Sequence, residues 1–195
     1  MVAPERVRLL NDAPARSKAS YVLYWAQINR RLDSNHALAF AIETASRMNL
    51  PVLFFEGLTR TRPRFDAFIT DGVPANAARA SELGVRYVFS DTRGELYRLA
   101  QDAALLVTDD FPGYMARDHN ARVPAKIGIP YYAVDSSCIV PMACLPKQEY
   151  AAYTIRPKIN LLLDEHMHPV TWPATHAAKA TGGGRAAALQ RLQDF

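Results

Sequence analysis

Cysteine is scarce. The sequence holds two, Cys138 and Cys144, six positions apart and in no CxxC pair. A zinc ribbon or a thioredoxin-type redox site is therefore not indicated, and isolated thiols suit a reducing compartment. No apolar run approaches the roughly 20 residues that span a bilayer. The opening MVAPERVRLLNDAPARSK has no apolar core of a secretory signal. The expectation is a cytoplasmic protein with no membrane partner. Gly182-Gly183-Gly184 is not followed by Gly-Lys-Ser/Thr, so it is not a phosphate-binding loop. No GxGxxG follows the first apolar segment, which disfavours ordinary NAD binding. His166 and His168 flank Met167 without completing a metal-ligand set. Ser136-Ser137 and the five histidines compose no hydrolytic triad. No catalytic residue and no metal site is expected.

Apolar residues are plentiful, at 49% of 195, enough to bury a proper core. The net charge is +4 and the isoelectric point about 9.2, which permits contact with a polyanion without requiring it. Residues 1–20 are polar and basic and read as an arm. Tyr21–Trp25 is a short run of aromatic and branched side chains, hence a strand. Asn35 opens a helix whose apolar positions Leu38, Ala41, Ile42, Ala45 and Met48 recur at helical spacing. Val52–Phe55 is the second strand. Pro63–Leu83 is helical with a break or kink at Gly72 and Pro74, and Gly84 suits its end. Val85–Phe89 (strand), Glu95–Ala103 (helix), Leu105–Thr108 (strand), Tyr114–Lys126 (helix) and Tyr131–Val134 (strand) follow. Strands apolar along their length, alternating with helices, argue a parallel doubly wound sheet. Ile139–Pro146 reads as an ordered crossing segment and Tyr150–Glu165 as at least partly helical, with Pro157 near its first turn or at a kink. Residues 166–184 read as a linker. Arg185–Phe195 reads as an amphipathic helix carrying Ala188, Leu189, Leu192 and Phe195, too short to stand alone.

Three blocks then carry a family resemblance. Tyr24-Trp25-Ala26-Gln27, followed by Arg30 and by Asn35-His36-Ala37-Leu38, is similar to the run after the first strand of class II cyclobutane pyrimidine dimer photolyases. Glu149-Tyr150-Ala151-Ala152-Tyr153-Thr154-Ile155-Arg156-Pro157-Lys158 resembles a ten-residue run of the same family, after Val134-Asp135 and Val140-Pro141. Gly184-Arg185-Ala186-Ala187-Ala188-Leu189, with Arg191, Leu192 and Phe195, resembles the opening of the helical flavin domain of photolyases at large. His36, Asn29 and the run Asp109–Tyr114 depart from the family pattern.

The resemblance implies a Rossmann-like α/β antenna domain over 21–165, with a five-stranded parallel sheet in the order 3-2-1-4-5. It also implies a linker over 166–184 and the first turns of a helical FAD-binding domain over 185–195, the rest of that domain being missing here. In such a photolyase an antenna collects light and passes the excitation to reduced FAD, which splits pyrimidine dimers in DNA. The antenna expected here is of deazaflavin type. FAD belongs to the intact enzyme and is not expected in this chain, which should be inactive alone and meet damaged DNA only through that enzyme. The candidate antenna residues are Trp25, Gln27, Asp109 and Phe111. They stand after strand carboxyl ends, where open parallel sheets bind ligands. The other reading is that Trp25 is core and that Asp109 caps the next helix. Arg156, Pro157 and Lys158 are the candidate docking face for the helical domain, against a solvated basic turn, and self-association through that face is a further expectation. The alternative function is a free-standing nucleotide-binding or interaction protein reusing the same fold.

Overall fold

The structure, a computed structural model, describes residues 1–171 apart from 17, 59–61 and 93. The parallel strands are β2 (Tyr21–Trp25), β3 (Val52–Gly57), β4 (Arg86–Ser90), β5 (Ala103–Asp109) and β6 (Tyr131–Val134); β1 (Val7–Leu9) precedes them. The helices are α1 (His36–Met48), α2 (Pro63–Glu82), α3 (Glu95–Ala100), α4 (Tyr114–Arg122) and α5 (Ala152–His166). Across the sheet the order is β4-β3-β2-β5-β6-β1. The five anticipated strands thus stand in the anticipated order, all parallel.

Strand period two explains why β2 is buried on both faces. Val22 and Tyr24 pack with Leu38, Ala41, Ile42 and Ala45 of α1 on one side. Tyr21 and Leu23 pack with Leu96, Leu99, Val123 and Ile127 on the other. All seven residues of β5 are buried, with Leu105 and Val107 joining the α1 layer and Leu106 the opposite one. Asn35 caps α1 through its side-chain oxygen, which accepts from the Leu38 amide at 3.0 Å. Asn49 ends the helix in the left-handed region at φ 54°.

Four local expectations are corrected. The sheet has six strands, not five, because part of the leading arm adds β1 antiparallel to β6, pairing Val7 with Val134 and Leu9 with Tyr132. The arm is held by the buried Arg6, whose guanidinium donates to the carbonyls of Asp135 (3.0 Å), Cys138 (2.8 Å) and Ile139. Second, α2 runs unbroken through Gly72 and Pro74. Pro74 is exposed while Val73 and Ala80 are buried, so packing on either side of the proline holds the helix across its missing donor. Third, α3 stops at Ala100, because Ala103 already pairs with Tyr21 at the start of β5. Fourth, α4 stops at Arg122, and Pro124–Lys126 forms a separate 3₁₀ turn. The 185–195 helix and most of the 166–184 linker lie outside the described residues.

Candidate functional site

The chain leaves β2 outward through β3 and β4, then crosses back to β5 on the other side of β2. The direction of winding therefore reverses between β2 and β5, the position at whose strand carboxyl ends open parallel sheets bind ligands. The last paired residues at that point are Trp25 and Thr108.

Trp25 is partly exposed there. Its ring leans on the imidazole of His119, with centroids 5.4 Å apart and planes 31° apart. Gln27, two residues on, spans the gap between the strands. Its Nε2 donates to Thr108 Oγ1 at 2.8 Å and to Asn120 Oδ1 at 3.0 Å, and its Oε1 lies 2.8 Å from His119 Nδ1. Thr108 Oγ1 donates onward to the Trp25 carbonyl at 2.9 Å. The Tyr131 hydroxyl donates to Asn120 Oδ1 at 3.1 Å. Burial, above all, pushes the Tyr131 phenol well above its ordinary value. Phe111, on the loop leaving β5, is half-buried. A Cβ on Gly113 would come within 2.6 Å of its ring, so glycine is what lets that ring lie against the backbone.

Beneath this edge lies a saturated polar layer. Asp109 is fully buried, and its carboxylate accepts from the Tyr24 hydroxyl (2.9 Å), the amides of Ile28 (2.8 Å) and Asn29 (3.0 Å), and Asn29 Nδ2 (3.2 Å). Burial, then the Asp109 charge, hold the Tyr24 phenol well above its usual range. On the β3 side, buried Glu56 accepts from Arg30 (3.0 Å), Asn76 (3.1 Å) and the Tyr87 hydroxyl (2.7 Å). Arg30 also donates to the Gly57 carbonyl at 2.9 Å. These bonds fix the 26–31 loop to the strand ends, so the ring-bearing edge is built before any ligand arrives.

Trp25, Gln27 and Phe111 therefore stand at one end of one sheet, on segments leaving adjacent strands. Asp109 stands under them, with its carboxylate taken up by Tyr24 of β2 and by the loop residues Ile28 and Asn29; it supports the edge from below. It does not serve as a cap of the following helix either, since α4 begins after Gly113 with no side-chain cap. Arg156, Pro157 and Lys158 lie elsewhere, exposed on α5, where Lys158 pairs with Glu149. None of the residues of α5 is buried. Its outward side shows Tyr153 (70% exposed) and Leu161 (85%) with Pro157 between them at helical spacing, and Tyr150 (83%) stands just before it. No helix among the described residues is long and apolar enough to cross a membrane, and no group of three or more potential metal ligands is present among them.

Sequence reasoning did not find His119, Asn120 or Thr108. A histidine in the last turn of a short polar helix carries no motif. The available signal was positional: Thr108 ends an apolar strand, and α4 is the helix that follows it. What the edge offers is aromatic surface and oriented hydrogen-bonding groups.

The DNA photolyase family model matches residues 22–176. The deoxyribodipyrimidine photo-lyase of Methanothermobacter thermautotrophicus is 34% identical, over 87% of this chain and 40% of that protein. The protein of the same name from Arabidopsis thaliana is 29% identical, over 85% of this chain and 36% of that protein. The chain thus spans well under half the length of these curated relatives. A doubly wound sheet over the matched residues agrees with both similarities, and the chain belongs to the DNA photolyase family, of which it represents the N-terminal α/β domain.

Proposed function

We propose that this chain is the antenna-binding domain of a class II photolyase acting on cyclobutane pyrimidine dimers. The carrying observation is the partly exposed Trp25 ring at the reversal point of the sheet, braced by Gln27 and His119. A partly exposed indole beside oriented amide and imidazole groups fits a flat heteroaromatic of deazaflavin type, which stacks on one and hydrogen-bonds to the others. Trp25, Gln27 and Phe111 would hold it, with Asp109 supporting the loop beneath. Once bound, such a group absorbs near-ultraviolet or blue light and passes the excitation on. The class II assignment draws support from the ten-residue run Glu149–Lys158.

The second surface belongs to the same reading. Tyr153, Pro157 and Leu161, flanked by Arg156 and Lys158, form an apolar stripe with a basic border. Burying such area contributes about 25 cal/mol per Å², and a helical FAD-binding domain is the partner that the family supplies. FAD, damaged DNA and dimer splitting belong to that whole, working in a soluble cytoplasmic enzyme. Without the domain the stripe should draw chains together, which light scattering at rising concentration detects.

The purified chain, illuminated with thymine-dimer DNA and FAD, should retain no flavin and restore no thymine above a protein-free control. Light-dependent restoration would overturn the division of labour proposed here.

A further inference from the structure

The polar network at the β2–β5 reversal determines where the proton sits on His119. The chain of assignments starts from a group with no freedom. The Asp109 carbonyl can only accept, and it receives Asn120 Nδ2 at 3.1 Å. Asn120 Oδ1 must then face its other neighbours, Tyr131 and Gln27, as an acceptor. The Gln27 atom that meets it is accordingly the amide nitrogen, which also reaches Thr108 Oγ1. Thr108 is free to accept it because its own proton goes to the Trp25 carbonyl. Gln27 Oε1 is left for His119, so Nδ1 of the neutral ring carries the hydrogen. Nε2 is then a bare acceptor. It has no hydrogen-bond partner among the described residues, and the ring is only partly buried.

We infer that His119 is the specificity-determining acceptor of the site: Nε2 receives the in-plane N–H of the bound heteroaromatic ring, selecting ligands that carry a donor on that edge. The inference rests on the antenna reading and deepens it. The indole and imidazole planes differ by 31°. A ring lying parallel to the indole beside the imidazole therefore presents an in-plane N–H near the plane that holds the Nε2 lone pair. Five groups (Asp109, Asn120, Thr108, Tyr131 and Gln27) hold the imidazole in one tautomer, a degree of organisation that a merely packed surface histidine does not need. Phenylalanine at the same position keeps an aromatic partner for Trp25 and removes the acceptor.

Two measurements on the full chain test this. Nitrogen-15 spectra of the histidine rings, with the His119 signals assigned by their loss in His119→Phe, should show Nδ1 protonated and Nε2 bare; the opposite tautomer overturns the inference without ligand. Fluorescence titrations then use 5-deazariboflavin, whose ring carries an imide N–H, and its N3-methyl derivative, in which that donor is gone. The unsubstituted chain should bind the parent about tenfold more tightly than the methylated compound, the factor one such hydrogen bond is worth. His119→Phe should bind the parent about tenfold more weakly and make no distinction between the two. If His119→Phe binds the parent as tightly as the unsubstituted chain does, the antenna reading stands and the role of His119 is refuted. If the unsubstituted chain binds neither compound, both fall. Should the variant not fold, the comparison of the two compounds on the unsubstituted chain decides alone: equal affinity refutes the inference.

Discussion

Asp109 and Asp110 are adjacent acidic residues with opposite fates. Asp109 faces inward beside Tyr24 and accepts four hydrogen bonds, whereas Asp110 pairs with Arg8 of β1 at 2.8 Å. Strand parity gave a partial hint: Val107 and Asp109 share the face toward α1. Asp109 was named from the sequence as a pocket residue, but which donors would claim it depended on the 26–31 loop, whose path no periodicity reveals. Asp109→Ala should cost about 3 kcal/mol, because the Tyr24 hydroxyl and two backbone amides lose a charged, buried acceptor. Urea denaturation checks it, and a loss under about 1 kcal/mol would show the loop to be held by other means. His36 behaves differently. Burial first, then the Arg6 and Arg31 charges, push its pKa from 6.5 down to about 4 against the opposing pull of Asp135. The unfolded chain takes up a proton near pH 6.5 while the folded chain resists until about 4. Stability from this group is therefore complete above pH 6.5, declines as the pH falls toward about 4, and is level below. Its size is about 2 kcal/mol for a partly buried ring. Unfolding curves of His36→Gln should lack this slope; parallel curves for both proteins would remove His36 from the account.

Among the elements, the five parallel strands were legible because each is an unbroken apolar run, and their order followed from alternation with helices plus the family resemblance. β1 was not legible. Val7-Arg8-Leu9 is too short to show a period, and it becomes a strand because β6 would otherwise end the sheet with an open edge. Pro74 does not break α2, which is continuous from Pro63 to Glu82. Its local rule is sound, but burial of Val73 and Ala80 outweighs it. The arm's attachment depends on Arg6 more than on three strand residues, since its guanidinium answers three carbonyls of the 135–139 segment while the Arg6 carbonyl accepts the Asp135 amide at 2.9 Å. Arg6→Met should release the arm. The Asp135 amide should then exchange with deuterium at least about tenfold faster, while those of Leu23 and Leu106 in the central strands keep their protection. Unchanged exchange at Asp135 would mean that backbone pairing alone secures β1.

As a whole molecule, the domain places its two notable surfaces on different parts of the chain. The reversal point of the sheet carries Trp25, Gln27, His119 and Phe111; α5 carries Tyr153, Pro157 and Leu161. The resemblance marked the second run, Arg156–Lys158, in the sequence, and the structure shows it exposed on α5. The first was readable only in outline, since the partners of Trp25 and Gln27 come from α4 and β5, 80 or more positions along the chain. Long-range polar pairing of that kind leaves no local pattern. The account turns on Trp25 as the platform for an antenna. Only two tryptophans exist, Trp25 and Trp172, so Trp172→Phe makes Trp25 the sole indole emitter. Titrating that variant with 5-deazariboflavin should quench the tryptophan emission to a saturable end point, reached at the same ligand concentration as the change in the ligand's own fluorescence. Emission that declines linearly without saturation, to the limit of ligand solubility, would contradict an antenna at this edge.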